Sequence, residues 1–385
     1  MKRIYMDHAA TTPLDPEVLE AMRPFFSQKY GNASSLHSFG REAKQALEKA
    51  RSAVADLMKA EQSEIVFTSG GTEADNLALK GAVRPGEHIV TSRIEHHAIL
   101  NTCKFLESRG VEVTYLPVDR YGTVSPGSVE KAIRKNTRIV SVMHANNEIG
   151  TIEPVKEIAK VCKKHGVLFH TDAVQTFGKM PIDVKSMGVD MLSVSSHKLY
   201  GPKGVGCLYV RGGIKLKPII HGGEHEGGVR SGTENIPGAV GFAKACELAK
   251  KNMLKEGKRL SALRDKLVKG VLKIPDAGLN GHPSKRVPGN ANFSFSFIEG
   301  ESLILRLDEK GIAASTGSAC STKELTPSHV LTAICLKPME AHGSLRLSLG
   351  KQNTQGDVKY LLEVLPGVVE ELRAISPFKG RGGRF

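Results

Sequence analysis

An acid and a lysine occupy positions in the sequence that suit cofactor chemistry. Asp172 follows the apolar run 167–170, with Gln175 three residues on, and Lys198 follows the run 191–194. Because ligands of open α/β sheets bind beyond the carboxyl ends of the strands, we expect these side chains to share one site. In pyridoxal-phosphate (PLP) enzymes a lysine amine forms a Schiff base with the cofactor, and a carboxylate keeps the pyridine nitrogen protonated. The pattern therefore favours PLP chemistry, whereas a lone lysine is more often a solvated surface charge.

A glycine-rich turn follows an earlier strand-like run. The run 64–68 leads directly into the segment 69–73, Ser-Gly-Gly-Thr-Glu, where a helix begins. Glycines allow the backbone to approach a ligand, and the free N–H groups of a helix N-terminus bind anions, so this segment suits a phosphate. It lacks the Gly-Lys-Ser/Thr ending of a P-loop. An ordinary glycine turn with a capping residue is the alternative for this segment taken alone.

Two further candidates lie towards the end of the sequence. Cys320 stands in a run of small residues, 315–322, which favours a mobile and accessible thiol. A buried, inert cysteine is the alternative, because a reactive thiol needs surroundings that stabilise its thiolate. Arg346 lies in the strand-like segment 344–348, and its planar fork suits a carboxylate. A surface ion pair explains that arginine equally well.

The elements that must position these residues alternate between strands and helices. Apolar runs and helical segments follow one another from about residue 64 to about residue 194, which predicts a mainly parallel sheet flanked by helices. After about residue 235 the pattern changes to a long lysine-rich helix and then to mixed strands and helices. We predict an α/β fold with a large domain at 14–256 and a smaller α+β domain at 257–385, to which 1–13 also belongs.

The composition is that of an ordinary globular protein with a basic surface. The 385 residues are 40% hydrophobic and 24% charged, and 54 Lys and Arg residues against 40 Asp and Glu residues give a net charge of +14. This charge fits a basic surface alone or attraction to an anionic partner. The basic residues are scattered except at 379–384, a segment typical of a disordered arm that contacts phosphates without specificity.

Neither a secretory signal nor a membrane span is indicated. The first residues are charged without an apolar run behind them, and no run approaches the roughly 20 apolar residues of a transmembrane helix. The six cysteines include no Cys-x-x-Cys pair, which argues against a dithiol redox motif or a zinc ribbon. We therefore predict a cytoplasmic protein with reduced thiols, no membrane partner and no metal site.

Taken together, the motifs resemble the cysteine desulfurases of the NifS/IscS type, in the class V aminotransferase family of fold type I PLP enzymes. The resemblance extends nearly from end to end, and the order of the motifs makes chance a poor explanation. In this sequence they read Tyr5-Met6-Asp7-His8-Ala9-Ala10-Thr11-Thr12-Pro13, Gly31-Asn32-Ala33-Ser34-Ser35, Thr68-Ser69-Gly70-Gly71-Thr72-Glu73-Ala74-Asp75-Asn76, Glu95-His96-His97, Asn146-Asn147-Glu148-Ile149-Gly150, Asp172-Ala173-Val174-Gln175, Ser195-Ser196-His197-Lys198, Arg230-Ser231-Gly232-Thr233 and Gly317-Ser318-Ala319-Cys320.

The resemblance implies a role for individual residues of these motifs. Lys198 would carry PLP, Cys320 would receive sulfur, and His96 would stack on the cofactor ring and move protons. Asp172 would pair with the pyridine nitrogen, and Gln175 would bond the ring hydroxyl. The other implied cofactor contacts are Gly71, Thr72, Asn147, Ser195 and His197, together with Thr233, which would reach the phosphate of the partner subunit in a homodimer. The implied substrate contacts are Asn32, Asn147 and Arg346, with Arg346 on the carboxylate.

The implied reaction is removal of sulfur from L-cysteine, which leaves L-alanine and a persulfide on Cys320. The sulfur would pass to an iron–sulfur scaffold protein or to a tRNA-thiolation enzyme, and Cys320 would serve at most as a transient iron–sulfur ligand. The Ser/Thr-rich stretch around Cys320 resembles the long loop of the NifS/IscS branch. The sequence departs from the family at Gly227, where an arginine is common, and in its basic glycine-rich C-terminus. We expect both departures to affect partner docking more than PLP chemistry.

Other functions stay open at this point. A selenocysteine lyase or a cysteine sulfinate-type lyase would use the same fold. A plain aminotransferase has no use for the loop cysteine and is disfavoured. A noncatalytic scaffold or a nucleic-acid-binding protein would explain the charge of +14 and the C-terminal arm. The presence of Asp172, Gln175 and Lys198 together argues against a degenerate enzyme, so we predict that nucleic acid is not required.

Overall fold

The computed structural model of the protein describes residues 3–317 and 327–376. Its strands are β1 (Ile4–Tyr5), β2 (Ile65–Thr68), β3 (His88–Ser92), β4 (Glu112–Leu116), β5 (Thr137–Ser141), β6 (Leu168–Asp172), β7 (Met191–Ser195), β8 (Gly206–Val210), β9 (Ala277–Asn280), β10 (Asn290–Phe295), β11 (Ile312–Ala313) and β12 (Ser344–Ser348). Its helices are α1 (Pro16–Met22), α2 (Pro24–Ser27), α3 (Ser38–Met58), α4 (Gly71–Ala82), α5 (His97–Glu107), α6 (Pro126–Ala132), α7 (Val155–His165), α8 (Val184–Met187), α9 (Ile236–Val271), α10 (Gly300–Glu309), α11 (His329–Ala333), α12 (Pro338–His342) and α13 (Gln355–Ile375).

The largest sheet has seven strands in the order β2-β8-β7-β6-β5-β3-β4. All neighbours in it are parallel except β8, which runs antiparallel to β2 and to β7. The predicted α/β fold with a mainly parallel sheet is therefore confirmed. The sequence did not reveal β8, because this strand begins inside the glycine-rich stretch 201–206 that follows Lys198.

Both faces of this sheet are covered, which explains why its strands read as continuous apolar runs. Ile89 and Ile139 pack into one core cluster, and the residues that follow them, Val90 and Val140, pack into another. Successive side chains of a strand point to opposite faces, so each strand contributes to two cores. Helices α4 and α5 cover one face, and α3 and the first half of α9 cover the other.

A second core forms around a three-stranded antiparallel sheet in the order β12-β10-β9. Every residue of β10 is buried, with α10, α13 and the end of α9 packed around it. Helix α9 runs unbroken for 36 residues, with Phe242 in the core of the large sheet and Leu267 in that of the small one. The predicted domain boundary at residue 256 falls inside this helix and stays a prediction. No helix among the described residues is long and apolar enough to cross a bilayer.

The first predicted helix is interrupted by proline. The Asp15 side chain accepts a hydrogen bond from the Glu17 backbone N–H, as expected of a helix cap. The capping pattern of Asp15, Pro16 and Glu17 predicts a helical segment that ends at Gly31, but α1 ends at Met22 and α2 starts at Pro24. Proline has no N–H to continue the ladder, so the chain begins a new helical turn there.

The amino-terminal strand joins the small sheet to the cofactor side of the molecule. β1 pairs in parallel with β11, and Asp7 forms a parallel bridge with Ser348. Met6, between these two contacts, is completely buried. The residues after it cross towards Lys198 and form part of the site described below.

Buried His144 is expected to make stability depend on pH. Its Nδ1 lies 2.9 Å from the Thr176 hydroxyl, which itself donates to the Ala173 carbonyl, so Nδ1 donates to the hydroxyl oxygen. Burial lowers the pKa of His144 from 6.5 to about 4. Below pH 6.5 the unfolded chain therefore binds a proton at this histidine that the folded chain does not bind. The stability that is fully present above pH 6.5 is lost as the pH falls towards 4.

A His144→Gln variant isolates this contribution. Between about pH 7.5 and about pH 5, the unfolding free energy of the wild type should fall by about 2 kcal/mol more than that of the variant. Urea unfolding of both proteins at each pH provides the measurement. A difference between the two proteins that does not change with pH would contradict the assignment.

Candidate functional site

Most of the predicted functional residues line one open pocket at the carboxyl ends of the central strands. The pocket has a volume of about 280 Å³, close to the lower end of the range of small-molecule and cofactor sites. Its lining includes the predicted residues Gly71, Thr72, His96, Asn147, Asp172, Gln175, Ser195, His197, Lys198 and Arg346. The strands β2, β6 and β7 end at this pocket, which is where ligands bind in open α/β sheets.

The N-terminus of α4 forms one end of the pocket. Gly70, just before this helix, has a φ of +155°, a backbone conformation that residues with a side chain rarely adopt. A Cβ atom on Gly71 would lie 2.7 Å from the Val174 side chain, and one on Gly206 would lie 2.8 Å from the Gly70 Cα. The backbone at 70–71 therefore approaches Gly206 and the Val174 side chain closely because Gly70, Gly71 and Gly206 carry no side chain. The free N–H groups of the 12-residue helix α4 suit a phosphate.

Asp172 is the acid at the end of β6. Its Oδ1 accepts a hydrogen bond of 2.8 Å from the Val174 N–H, and the residue is only 6% exposed. Burial raises the pKa of Asp172 to about 6, while the Val174 N–H and the Lys198 charge act in the opposite direction. A cationic group in the pocket, such as a protonated pyridine nitrogen, would offset the cost of burying this carboxylate.

Lys198 is held by the backbone of the amino-terminal segment. Its Nζ donates to the Ala9 carbonyl at 2.7 Å and to the Ala10 carbonyl at 2.6 Å. The Gln175 side-chain amide also donates to the Ala9 carbonyl, at 3.0 Å. These carbonyl acceptors orient the lysine amine in the pocket.

His96 is a neutral imidazole with a defined tautomer. It caps α5, and its Nδ1 accepts a hydrogen bond of 3.1 Å from the Ala98 N–H. Burial, followed by the charge of Lys198, lowers the pKa of His96 to about 4. Since Nδ1 accepts, the proton of the neutral ring lies on Nε2. His96 can therefore hold or donate a proton at Nε2.

His197 is fixed by contacts with the amino-terminal segment. Its Nδ1 lies 3.0 Å from the Thr11 hydroxyl, and its carbonyl accepts hydrogen bonds from the Thr12 N–H and hydroxyl. Burial and the Lys198 charge lower the pKa of His197 to about 4. The neutral ring places a polar group beside Ser195 without adding another cation.

Arg346, on β12, brings the small sheet into the pocket. Its Nη1 donates to the Asn147 and Gly317 carbonyls at 3.1 and 3.3 Å, and its Nη2 donates to Asp7 Oδ1 at 2.8 Å. The residue is 2% exposed. A buried guanidinium with its plane held in this way is suited to bind a carboxylate.

Cys320 lies outside the described residues, but the residues on either side of 318–326 contact one acid. Glu148 is 3% exposed and accepts a hydrogen bond of 2.5 Å from the Ser328 hydroxyl. A Cβ atom on Gly317 would lie 3.2 Å from the same carboxylate. Glu148 therefore connects residues 317 and 328 beside Arg346.

Two of the predicted site residues do not line the pocket of this chain. Asn32 is exposed, and its side-chain oxygen accepts from the Ser34 N–H. Thr233 is also exposed, in the loop before α9. That loop is tied to the phosphate end of the pocket by the Arg230–Glu73 ion pair of 2.8 Å. The role of Thr233 in a partner subunit stays a prediction.

Several residues of the site were missed in the sequence. Asp75 lines the pocket one helical turn after Gly71, and burial followed by the charge of Asp172 raises its pKa well above the usual value. Its spacing of four residues from Gly71 was a usable signal. No sequence signal marks the carbonyls of Ala9 and Ala10 as contacts of Lys198, because every residue has a backbone carbonyl.

The donor set fits PLP. The phosphate has a helix N-terminus that added Cβ atoms would obstruct, the pyridine nitrogen has a buried carboxylate, and the aldehyde has a lysine amine held by neutral acceptors. These three features surround one pocket. They correspond to the parts of a PLP molecule that a protein must bind.

Comparison with known proteins gives a consistent result. The aminotransferase class-V family model matches residues 4–361. Cysteine desulfurase IscS of Dictyoglomus turgidum is 54% identical over 98% of both chains, and that of Methanosarcina thermophila is 54% identical over 98% of this chain and 94% of the relative. Among solved structures, a NifS-like protein has a TM-score of 0.90 and 40% identity over 96% of this chain and all of its own. SspA in complex with cysteine has a TM-score of 0.81 and 40% identity over 90% of this chain and 98% of its own.

Proposed function

Since this chain belongs to the class V aminotransferase family, we propose that its pocket binds PLP and removes sulfur from L-cysteine. The observation that carries the proposal is the convergence of Asp172, Lys198 and Arg346 on one pocket. These residues suit, in turn, the cofactor nitrogen, its aldehyde and the carboxylate of an amino acid. The identity of 54% to curated cysteine desulfurases over nearly the whole chain supports L-cysteine as that amino acid.

PLP, when bound, withdraws electrons from the amino acid and so weakens first the bond to the Cα proton and then the Cβ–S bond. Arg346 binds the substrate carboxylate and fixes the amino acid relative to Lys198. The Lys198 amine would remove the Cα proton, and the Ala9 and Ala10 carbonyls would keep Nζ in the pocket. His96 holds a proton at Nε2, from which it can assist substrate protonation.

The sulfur transfer is assigned to Cys320. Its thiolate attacks the substrate sulfur, an S–S bond forms and the Cβ–S bond breaks. The electron pair of the broken bond stays on the substrate carbon, which takes up a proton and leaves as the methyl group of alanine. Cys320 is left as a persulfide, from which an acceptor can take the outer sulfur.

We also propose a homodimer with shared sites, delivery of sulfur to an iron–sulfur scaffold or a tRNA-thiolation enzyme, and a cytoplasmic location. The exposed Thr233, joined to the phosphate end through Arg230 and Glu73, supports the shared site. Transfer of radiolabelled persulfide sulfur to purified acceptors distinguishes the two kinds of partner. Cell fractionation tests the location.

The activity itself is tested with the purified protein, L-cysteine and a thiol reductant. We expect alanine and sulfide in equal amounts, with a change in cofactor absorbance when the substrate is added. L-serine, which has no sulfur, should yield no alanine and serves as the control. A protein that shows cofactor absorbance but releases no alanine from cysteine would contradict desulfuration. Selenocysteine would then be the next substrate to test.

A further inference from the structure

The contact between Asp7 and Arg346 has no part in the mechanism derived so far. Asp7 Oδ1 accepts from Arg346 Nη2 at 2.8 Å, and the two side chains are 17% and 3% exposed. Their main chains are also fixed, because Arg346 exchanges backbone hydrogen bonds with Ser315, and Asp7 forms a strand bridge with Ser348. The backbones of both residues are therefore held relative to β12.

The acceptors around Arg346 determine the plane of its guanidinium. Nη1 is held by two neutral carbonyls, those of Asn147 and Gly317, and Nη2 is held by the Asp7 carboxylate. Asp7 is the one anionic hydrogen-bond acceptor of this guanidinium among residues 3–317 and 327–376. The donor is charged in all three bonds, but the bond to Asp7 also has a charged acceptor and joins two opposite full charges, so Asp7 contributes most to the orientation.

The charge of Asp7 also matters because cations are concentrated here. Lys179 is half-buried, and its pKa is lowered to about 7 by desolvation and by the charges of Lys198 and Arg346. The Asp7 carboxylate, which accepts from Arg346 Nη2, balances part of this positive charge. It does so without occupying the Lys198 amine, which is bonded to the carbonyls of the same segment.

We propose that Asp7 is a positioning residue that holds Arg346 for the carboxylate of the amino-acid substrate and thereby selects carboxylate-bearing substrates. This inference rests on the proposed function. It assigns a role in substrate selection to the amino-terminal segment, which reaches both the substrate arginine and the cofactor lysine. The alternative is an ion pair that only joins the small sheet to the rest of the protein.

Asp15 provides a matched control. It lies in the same amino-terminal segment, its side chain is 18% exposed, and it forms an ion pair of 3.0 Å with Lys351. The Asp7 pair connects the segment to β12, and the Asp15 pair connects it to the chain just after β12. Lys351 is not among the residues that line the candidate site. Replacement by asparagine keeps the helix-capping ability of position 15.

The experiment compares Asp7→Asn and Asp15→Asn with the wild type, using L-cysteine and its methyl ester as substrates. Asp7→Asn should raise KM for L-cysteine about tenfold while kcat changes little, and should lower the preference for cysteine over the ester by a similar factor. Asp15→Asn should retain the wild-type preference. Cofactor absorbance and thermal stability establish that each variant is folded and loaded.

A second readout separates failure of this inference from failure of the proposed function. L-alanine and its methyl ester are titrated into each protein, and binding is followed through the cofactor absorbance. The preference for the free carboxylate should fall about tenfold in Asp7→Asn even in a protein that does not desulfurate cysteine. An unchanged or increased preference in Asp7→Asn, or an equal loss in Asp15→Asn, overturns the assignment.

Discussion

Replacing Lys198 by alanine is expected to abolish desulfuration and to remove the covalent link between cofactor and protein. The lysine amine both binds the cofactor and moves the substrate proton, so activity should fall by about 10⁴-fold or more. Borohydride reduction followed by mass spectrometry should show the cofactor attached to the wild type and not to the variant. Desulfuration is measured in parallel as alanine release.

Lys203→Ala is the control for this change. Lys203 is exposed, lies five residues from Lys198 and does not line the pocket. The control should keep both the attached cofactor and the activity. A cofactor still attached after reduction of Lys198→Ala would refute the assignment of this lysine.

Mixing protomers extends the same experiment to the proposed homodimer. A protomer with Lys198→Ala retains Thr233, and a protomer with Thr233→Ala retains Lys198. If sites are shared, a mixed dimer contains one complete site and is more active than either variant alone. Mixing without any gain in activity, under conditions where subunits exchange, would argue against a shared site.

Replacing Cys320 by serine is expected to stop persulfide formation and leave cofactor binding intact. The cysteine lies outside the described residues, but Gly317 lines the pocket and Ser328 is bonded to Glu148. Serine is a far weaker acceptor of sulfur than a thiolate, so alanine release from cysteine should fall by about 10²-fold or more. The cofactor absorbance should match that of the wild type.

Cys335→Ser supplies the comparison, because Cys335 is an exposed free cysteine that does not line the pocket. This control should retain full activity and persulfide on Cys320, detected by alkylation and mass spectrometry. Selenocysteine added to Cys320→Ser distinguishes a lyase, since selenium release can proceed without the thiol. Undiminished release of alanine from cysteine in Cys320→Ser would exclude the role of this residue.

The centre of the site was predictable because it depends on short-range patterns. Asp172 and Lys198 each follow an apolar run, and the carboxyl ends of parallel strands meet at one edge of a sheet. Their convergence therefore follows from the order of elements. The fold class was predictable for the same reason, since alternation of strands and helices leaves few arrangements.

Long-range pairing was not predictable in this way. The position of Asp7 beside Arg346 depends on β1 pairing with β11 and on the bridge to Ser348. A strand of two residues is too short to show the alternation of apolar and polar residues by which strands are predicted. The strand β8 was missed because glycine is depleted in strands, whereas here Gly206 is required by the close approach of Gly70. Tertiary contact determined these positions.

The position of β1 has a consequence for how the protein is made. β1 emerges from the ribosome before its partner β11, which follows about 300 residues later. At about 5 to 20 residues per second, this delay is roughly 15 to 60 seconds. During that time β1 and the neighbouring Met6, which is buried in the folded protein, are without their partner, and β1 can pair wrongly with other chains. The large sheet can form in the meantime, but the Ala9 and Ala10 carbonyls cannot yet hold Lys198. We therefore expect cofactor to be captured securely only after synthesis has passed β12, which makes loading a late, post-translational step.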